Sequence, residues 1–186
     1  IVTPAGLQVP LPGLRPQALA LSPDGKLLAV SGKTHEVVVL DPATGAIRQR
    51  VVLPAEPGVE PSPATTSENI LEPDEKGQLS YTGLVFSPDG RFLYMSNVNG
   101  SVKVFAAGAD GAVIPARSIL LPPSGAPRRA EEIPSGLALA DDGRRLYVCG
   151  NLSNRLYELE AETGAVLRTF DAGVAPFDVV LARGKA

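Results

Sequence analysis

The feature that most constrains this chain is an internal repeat of about 40–45 residues. In each copy a short apolar run leads into a tight turn, and a second apolar run follows at once. The turns are Ser-Pro-Asp-Gly at 22–25 and 87–90, and Ala-Asp-Asp-Gly at 140–143. Such a repeat has to be interpreted first, because each copy is one structural unit that packs on its neighbours.

Each copy predicts four short strands joined by tight turns. In the first turn proline presets its own φ, aspartate bonds the backbone that follows it, and glycine accepts positive φ. A second turn ends the third strand, at 41–45, 109–111 and 160–164. The runs between the turns are rich in β-branched and aromatic residues, and none has a sustained 3.6-residue apolar period. The sequence therefore predicts an all-β protein without a major helix.

Four short antiparallel strands at this spacing are typical of a β-propeller blade. We expect one propeller segment over 1–186, with three complete four-stranded blades and a partial one. Because a closed ring usually needs about 4–8 blades, we expect an incomplete ring, both chain ends cut, and the remaining blades as partners. The expected boundaries are a lead strand at 1–12, a blade at 13–54, an insertion at 55–78, a blade at 79–122, an insertion at 123–131, a blade at 132–173 and the start of the next blade at 174–186.

Composition excludes several classes of function. The net charge is −3 and no lysine or arginine run stands out, so we expect no nucleic acid and no anionic membrane surface as partner. With 44% apolar residues the chain is expected to be neither disordered nor membrane-spanning. The single cysteine, Cys149, excludes an internal disulfide and a cysteine-based zinc site.

No catalytic residue, metal site or cofactor is predicted. His35, the only histidine, stands at a turn end with no partner visible in the sequence, although histidine often serves as a general base. Cys149 aligns with Ser31 and Ser96, which favours a small buried residue over a nucleophile. The polar residues of the first turns recur at fixed positions, which favours a structural role. They are Ser22, Ser87, Asp24, Asp89 and Asp142.

The connections of a blade divide between two faces of a propeller. The first-to-second and third-to-fourth turns lie on one, here called the compact face. The second-to-third turns and the crossings between blades lie on the other, here called the loop face. The loop face carries everything irregular, and loops on a rigid scaffold are where binding residues usually lie. The candidate ligand-binding residues are His35, Asn97, Asn99, Asn151, Asn154, Arg128 and Arg129.

These candidates have structural alternatives. Asparagine is favoured in hairpin turns for conformational reasons alone. The arginine pair at 128–129 stands beside Glu131 and Glu132, which favours a self-satisfied surface loop, although the pair also suits a carboxylate or a phosphate. The acidic, proline-rich insertion at 54–80 is either a mobile surface loop or a segment that a partner orders.

Two short strings carry a resemblance to a known family. Tyr-Met-Ser-Asn at 94–97 and Tyr-Val-Cys-Gly at 147–150 have a first turn before them and a turn of the Asp-x-x-Thr-Gly kind after them. In this setting they resemble bacterial YVTN-type (YncE-like) β-propeller repeats. The resemblance covers almost the whole chain outside the two insertions, and it implies the fold more than any activity.

The segments at 102–105, 151–155 and 173–180 look closest to one arrangement, in which an N-terminal propeller precedes an alkaline-phosphatase-like phosphoesterase domain in an exported bacterial protein. The resemblance therefore implies a non-catalytic binding or scaffold module, a C-terminal hydrolase domain as partner, and a periplasmic or extracellular location. A small molecule or a protein is the expected ligand of the loop face. Two alternatives stay open, a lactonase-like propeller hydrolase and a structural cell-surface repeat protein.

Overall fold

The computed structural model describes residues 5–57 and 74–182. Within these two ranges, twelve strands form three separate four-stranded antiparallel sheets, and no helix occurs. Blade 1 contains β1 (Pro16–Leu21), β2 (Leu28–Gly32), β3 (Glu36–Leu40) and β4 (Ile47–Val52). Blade 2 contains β5 (Leu79–Phe86), β6 (Phe92–Asn97), β7 (Ser101–Ala107) and β8 (Val113–Leu120). Blade 3 contains β9 (Pro134–Leu139), β10 (Arg145–Gly150), β11 (Arg155–Glu160) and β12 (Val166–Asp171), so the predicted all-β fold with three complete blades is confirmed.

The first turns of blades 1 and 2 are closed by their own side chains. Ser22 Oγ donates to Asp24 Oδ1 at 2.7 Å and accepts from the Leu27 amide at 2.9 Å. Ser87 makes the same pair of bonds in blade 2, to Asp89 at 2.6 Å and from the Phe92 amide at 2.9 Å. The recurrent serine and aspartate side chains are therefore committed to turn geometry, as is usual for such residues.

Neighbouring blades join through apolar sheet faces. We call the side of a blade that meets the next blade in chain order its forward face, and the opposite side its backward face. The forward face of blade 1 packs on the backward face of blade 2, where Val39 meets side chains such as Phe105. The forward face of blade 2 packs on blade 3, where Val104 meets side chains such as Leu159. All four of these side chains are fully buried, so the two interfaces form the core.

The first strands of the blades lie side by side at the centre of the arrangement, β1 against β5 and β5 against β9. Two glycines permit this approach. A Cβ on Gly83 would lie 2.2 Å from the Ser135 carbonyl oxygen, and one on Gly136 would lie 2.4 Å from Asp178 Cα. Any larger residue would push adjacent inner strands apart.

Segments outside the strands lie against both terminal blades. Val9, Leu11 and Leu14 pack with Val38 and Leu40 on the backward face of blade 1, without forming a strand. The inner end of that face stays open, with Leu19 65% and Leu21 56% exposed.

After β12 the chain returns to the centre of the arrangement. There the Gly136 amide donates to the Phe177 carbonyl at 2.9 Å, and Ser135 Oγ donates to the Pro176 carbonyl at 2.7 Å. The segment at 176–181 thus follows the path of a first strand but has no strand partner among the described residues. The three sheets do not close, which agrees with an incomplete ring.

Candidate functional site

Two asparagines of the loop face tie the β6–β7 turn to the crossing that precedes it. Asn97 is fully buried, and its Oδ1 accepts from the Gln78 amide at 3.0 Å. Its Nδ2 donates to Glu56 Oε1 and to Ser101 Oγ, both at 3.0 Å. Asn99 is half-buried and donates to the Lys76 carbonyl at 3.2 Å. All the polar capacity of Asn97 is therefore used inside the protein.

The other two asparagines hold the β10–β11 turn. Asn154 adopts φ 60° and accepts from the Ala175 amide at 2.8 Å. Asn151 donates to the Pro176 carbonyl at 3.4 Å and accepts from the Tyr81 hydroxyl at 3.4 Å. Both of these bonds are long, so they hold the Asn151 amide weakly.

The three charged or titratable candidates lie in two different loops, His35 in the β2–β3 turn and the two arginines in the second insertion. His35 is exposed, and its backbone carbonyl accepts from the Leu53 amide at 3.2 Å. Arg128 is exposed, whereas Arg129 is half-buried and donates from Nη2 to the Val98 carbonyl. Within 5–57 and 74–182, no hydrogen bond joins any two of the seven candidate side chains. The seven side chains therefore do not form one connected site on the loop face.

A polar cluster of this face is organised by a residue that is not among the seven candidates. Lys103 lies in the middle of β7 and is completely buried. Its Nζ donates to the Pro54 carbonyl at 2.7 Å and to Glu56 Oε1 at 2.8 Å, and it lies 2.8 Å from Asp74 Oδ2. We call Lys103, the Pro54 carbonyl, Glu56 and Asp74 the Lys103 clamp. The Ser101 hydroxyl also donates to Glu56 Oε1, at 2.5 Å.

The clamp holds both sides of the first insertion. Glu56 lies just before residues 58–73 and Asp74 just after them, so one ammonium group fixes the point of departure and the point of return. Residues 58–73 are outside the described residues, and so is most of the insertion for which a mobile or partner-ordered loop was predicted. A sequence signal for the clamp did exist. Lys103 interrupts an apolar run, Val-Lys-Val-Phe, at the position that Val38 occupies in blade 1.

The second crossing is also held by a glutamate, but with different hydrogen-bond donors. Glu132 is completely buried, and its Oε1 accepts from the amides of Ile133 and Leu152, both at 2.9 Å. Its Oε2 accepts from the Tyr157 hydroxyl at 3.3 Å. Tyr157 occupies the position in β11 that Lys103 occupies in β7. Each crossing thus delivers a glutamate to a donor on the backward face of the blade that follows, and Glu132 bonds these groups rather than its arginine neighbours.

An aromatic pair marks the inner rim of the loop face. Tyr81 adopts φ 56°, a left-handed conformation that is costly for a bulky residue. Its ring meets that of Phe177 edge to face, with ring centroids 5.1 Å apart. The two side chains are 38% and 52% exposed, and Asn151 bonds the Tyr81 hydroxyl. A strained, exposed aromatic residue beside an amide is a feature that sequence spacing alone did not indicate.

Two clefts open on the compact face. One, of about 530 Å³, lies between the turns of blades 1 and 2, and a second, of about 680 Å³, lies between those of blades 2 and 3. Acidic turn residues and arginines line both, and Arg117 enters the second with Nη2 on the Ala161 carbonyl at 2.7 Å and its guanidinium over the Phe92 ring. None of the seven predicted residues lines either cleft.

Ligands for a metal ion do not converge in this structure. Among the described residues, no group of three or more histidine, cysteine, aspartate or glutamate side chains is placed to hold one. Burial raises the pKa of the Cys149 thiol to about 11, with the nearby Asp178 carboxylate acting in the same direction. No helix in the described ranges is long and apolar enough to cross a membrane.

Comparison with known proteins identifies the fold. No protein-family model matches the chain, and no curated protein matches it. Three solved structures match it as follows. Hydrazine synthase from Kuenenia stuttgartiensis matches 95% of this chain with a TM-score of 0.62 and 20% sequence identity. The Cps50 (Swd1) β-propeller domain of Myceliophteria thermophila matches 92% with a TM-score of 0.61 and 14% identity. U3-55K matches 87% with a TM-score of 0.59 and 13% identity. This chain spans 42%, 47% and 41% of those chains, less than half of each. At such identities the likeness shows a β-propeller fold and nothing about activity.

Proposed function

We propose that this chain is a non-catalytic β-propeller module that binds or positions a partner through its loop face, within a larger exported bacterial protein that carries a phosphoesterase domain. The observation that carries the proposal is the Lys103 clamp. It connects both sides of the first insertion to a single side chain in the centre of blade 2. A loop held in this way has a defined place from which to present its residues.

The clamp is better suited to holding a loop than to adding stability. Burying a lysine with carboxylates costs solvation free energy that their mutual attraction only partly returns. Val38, at the same position in blade 1, is also completely buried, so the fold accepts an apolar side chain there. We therefore interpret the clamp as an arrangement that fixes the two described ends of the insertion, at Glu56 and Asp74, to blade 2.

The recurrence of this arrangement supports the same interpretation. Glu132 joins the second crossing to the β10–β11 turn, as Glu56 joins the first crossing to the β6–β7 turn. Both irregular regions are thereby fixed to rigid strands at their bases. Binding residues on a rigid scaffold are typically held in this manner.

The side chains with catalytic potential support a role without chemistry. A thiol with a pKa of about 11 remains protonated near neutral pH, so Cys149 is a poor nucleophile. His35 is exposed and lies in a different segment from the half-buried Glu56 and the buried Glu132. Those carboxylates are engaged by protein donors. A general acid–base pair needs two such groups within reach of one substrate.

The larger protein that we propose around this module is inferred from the sequence resemblance. That resemblance supplies the phosphoesterase domain, the bacterial source and the exported location. The open blade faces are compatible with it, because further blades of the same protein would cover them. The partners proposed are therefore the remaining blades, the hydrolase domain, and a protein or small-molecule ligand on the loop face.

The test uses the product of the gene's full reading frame. We expect this product to hydrolyse p-nitrophenyl phosphate, and Lys103→Met to change that turnover or its substrate dependence. Lys26→Met removes an exposed lysine, 75% accessible, and should leave both unchanged. A reading frame without a phosphoesterase domain would refute the proposed parent protein.

A second assay, on this chain alone, tests the absence of catalysis in the module. The chain alone should hydrolyse neither p-nitrophenyl phosphate nor a sugar lactone, with or without added divalent metal ions. Metal-dependent turnover by the chain alone that disappears in His35→Ala would refute the non-catalytic role.

A further inference from the structure

The forward face of blade 3 differs from the two forward faces that are covered. At the centre of the third strand, blades 1 and 2 place Val39 and Val104 on this face, both fully buried against the next blade. Blade 3 places Glu158 at the same position. A carboxylate therefore stands where the repeat otherwise uses valine.

Two arginines enclose this carboxylate. Arg145 Nη1 lies 2.5 Å from Glu158 Oε1, and Arg168 Nε lies 2.5 Å from Oε2. The Glu158 side chain is 0% exposed, whereas those of Arg145 and Arg168 are 49% and 58% exposed. The three residues bring two positive charges and one negative charge to this face, and the guanidinium groups retain donors that Glu158 does not use.

In both covered interfaces, the residue equivalent to Arg168 makes a hydrogen bond to the neighbouring blade. Gln49, its equivalent in blade 1, accepts from the Val113 amide of blade 2 at 2.8 Å. Arg117, its equivalent in blade 2, donates to the Ala161 carbonyl of blade 3 at 2.7 Å. Arg168 has the corresponding place on a face that no described blade covers, with its guanidinium over the exposed Phe170 ring at 5.3 Å.

We propose that the forward face of blade 3 is the docking surface for the next blade of the same protein, whose first strand would follow the path of 176–181, and that this blade presents a carboxylate side chain between apolar residues. Glu158 holds the two arginines in place, the arginines bind the partner's carboxylate, and Phe170 and Leu156 contact its apolar flanks. Charge complementarity is the argument for this occupant, because Arg145, Glu158 and Arg168 together carry one excess positive charge within a chain of net charge −3. The surface is on the other side of blade 3 from the Lys103 clamp, so either proposal can fail without the other.

The experiment compares two displayed nonapeptide libraries, one with glutamate fixed at the centre and one with glutamine. Panning against the full chain should enrich the glutamate library by about tenfold or more over the glutamine library, and 1 M salt should remove most of the difference. The variant that removes the site is Arg145→Leu/Glu158→Val/Arg168→Gln. It should still fold, because it gives blade 3 the residues that blade 1 has at these three positions. The preference for glutamate should disappear in this variant and persist in Arg144→Gln, which changes an exposed arginine in the adjacent turn.

Two results would overturn the proposal. One is equal enrichment of the two libraries, which is the behaviour of a solvated polar cap that closes a repeat array. The other is a concentration-dependent dimer in sedimentation velocity that the triple variant abolishes, because a second copy of this chain would then be the occupant.

Discussion

Replacing Lys103 by methionine removes the ammonium group at the centre of the clamp while keeping a side chain of similar length. Nζ then no longer bonds the Pro54 carbonyl, Glu56 or Asp74. Two carboxylates remain beside an apolar side chain at the base of the first insertion. We expect a loss of stability and a loosening of that base.

The magnitude follows from the burial of the three groups. Removing one member of a fully buried ion pair costs about 3–5 kcal/mol in the free energy of unfolding. Lys103 is 0% exposed, but Glu56 is 23% and Asp74 12% exposed, so water can return to both carboxylates. We therefore expect a loss of about 2–3 kcal/mol, which corresponds to a fall in Tm of roughly 4–12 °C for a chain of this size.

Urea unfolding followed by circular dichroism measures this loss, and hydrogen exchange locates it. The Asp74 amide donates to the Leu53 carbonyl at 2.9 Å and the Gln78 amide to Asn97 at 3.0 Å, so both should lose protection. Strands of blade 3 should keep theirs. Lys26→Met, which breaks an exposed pair with Asp24, is the matched control and should change stability by less than about 0.5 kcal/mol.

A second variant separates the loss of charge balance from the loss of packing. Adding Glu56→Gln and Asp74→Asn to Lys103→Met removes the uncompensated charges and should restore most of the stability. The reasoning fails if Lys103→Met unfolds within about 0.5 kcal/mol of the unchanged chain with full protection at Asp74. It also fails if the triple variant is less stable than Lys103→Met alone.

Three further outcomes follow from the structure. Cys149 should react slowly with a disulfide reagent at neutral pH in the folded chain, and completely in denaturant, because burial raises its pKa to about 11. The Ser87 hydroxyl, then Arg91, lower the pKa of Asp89 from 3.8 to about 2, so its stabilising effect is complete above pH 3.8 and lost as the pH falls towards 2. The stability difference between the unchanged chain and Asp89→Asn, from urea midpoints, should shrink over that interval; a constant difference would contradict this. Gly83→Ala should cost about 1–3 kcal/mol of stability, because its Cβ would lie 2.2 Å from the Ser135 carbonyl, whereas Gly173→Ala, with open space around it, should cost little in the same assay.

The predicted site residues show the limits of local sequence reasoning. The sequence predicts the loop-face asparagines in turns, and three of the four, Asn99, Asn151 and Asn154, lie in turns. Asn97, however, is buried and bonds Glu56, 41 residues earlier in the chain. A turn signal contains no information about such a partner, so the sequence could not distinguish an available amide from a committed one.

The blades could be predicted from the amino-acid sequence, because the interactions that define them are short in range. Ser22, Asp24 and the Leu27 amide close a turn within six residues, and apolar alternation then gives each strand its two faces. Which polar residues act together depends instead on how the blades pack. Lys103 meets a carbonyl 49 residues away, Glu132 meets a hydroxyl 25 residues away, and Glu158 is bridged from two different strands. Their partners come from separate crossings and strands, and burial determines their strength, so these contacts exist only once the blades have packed.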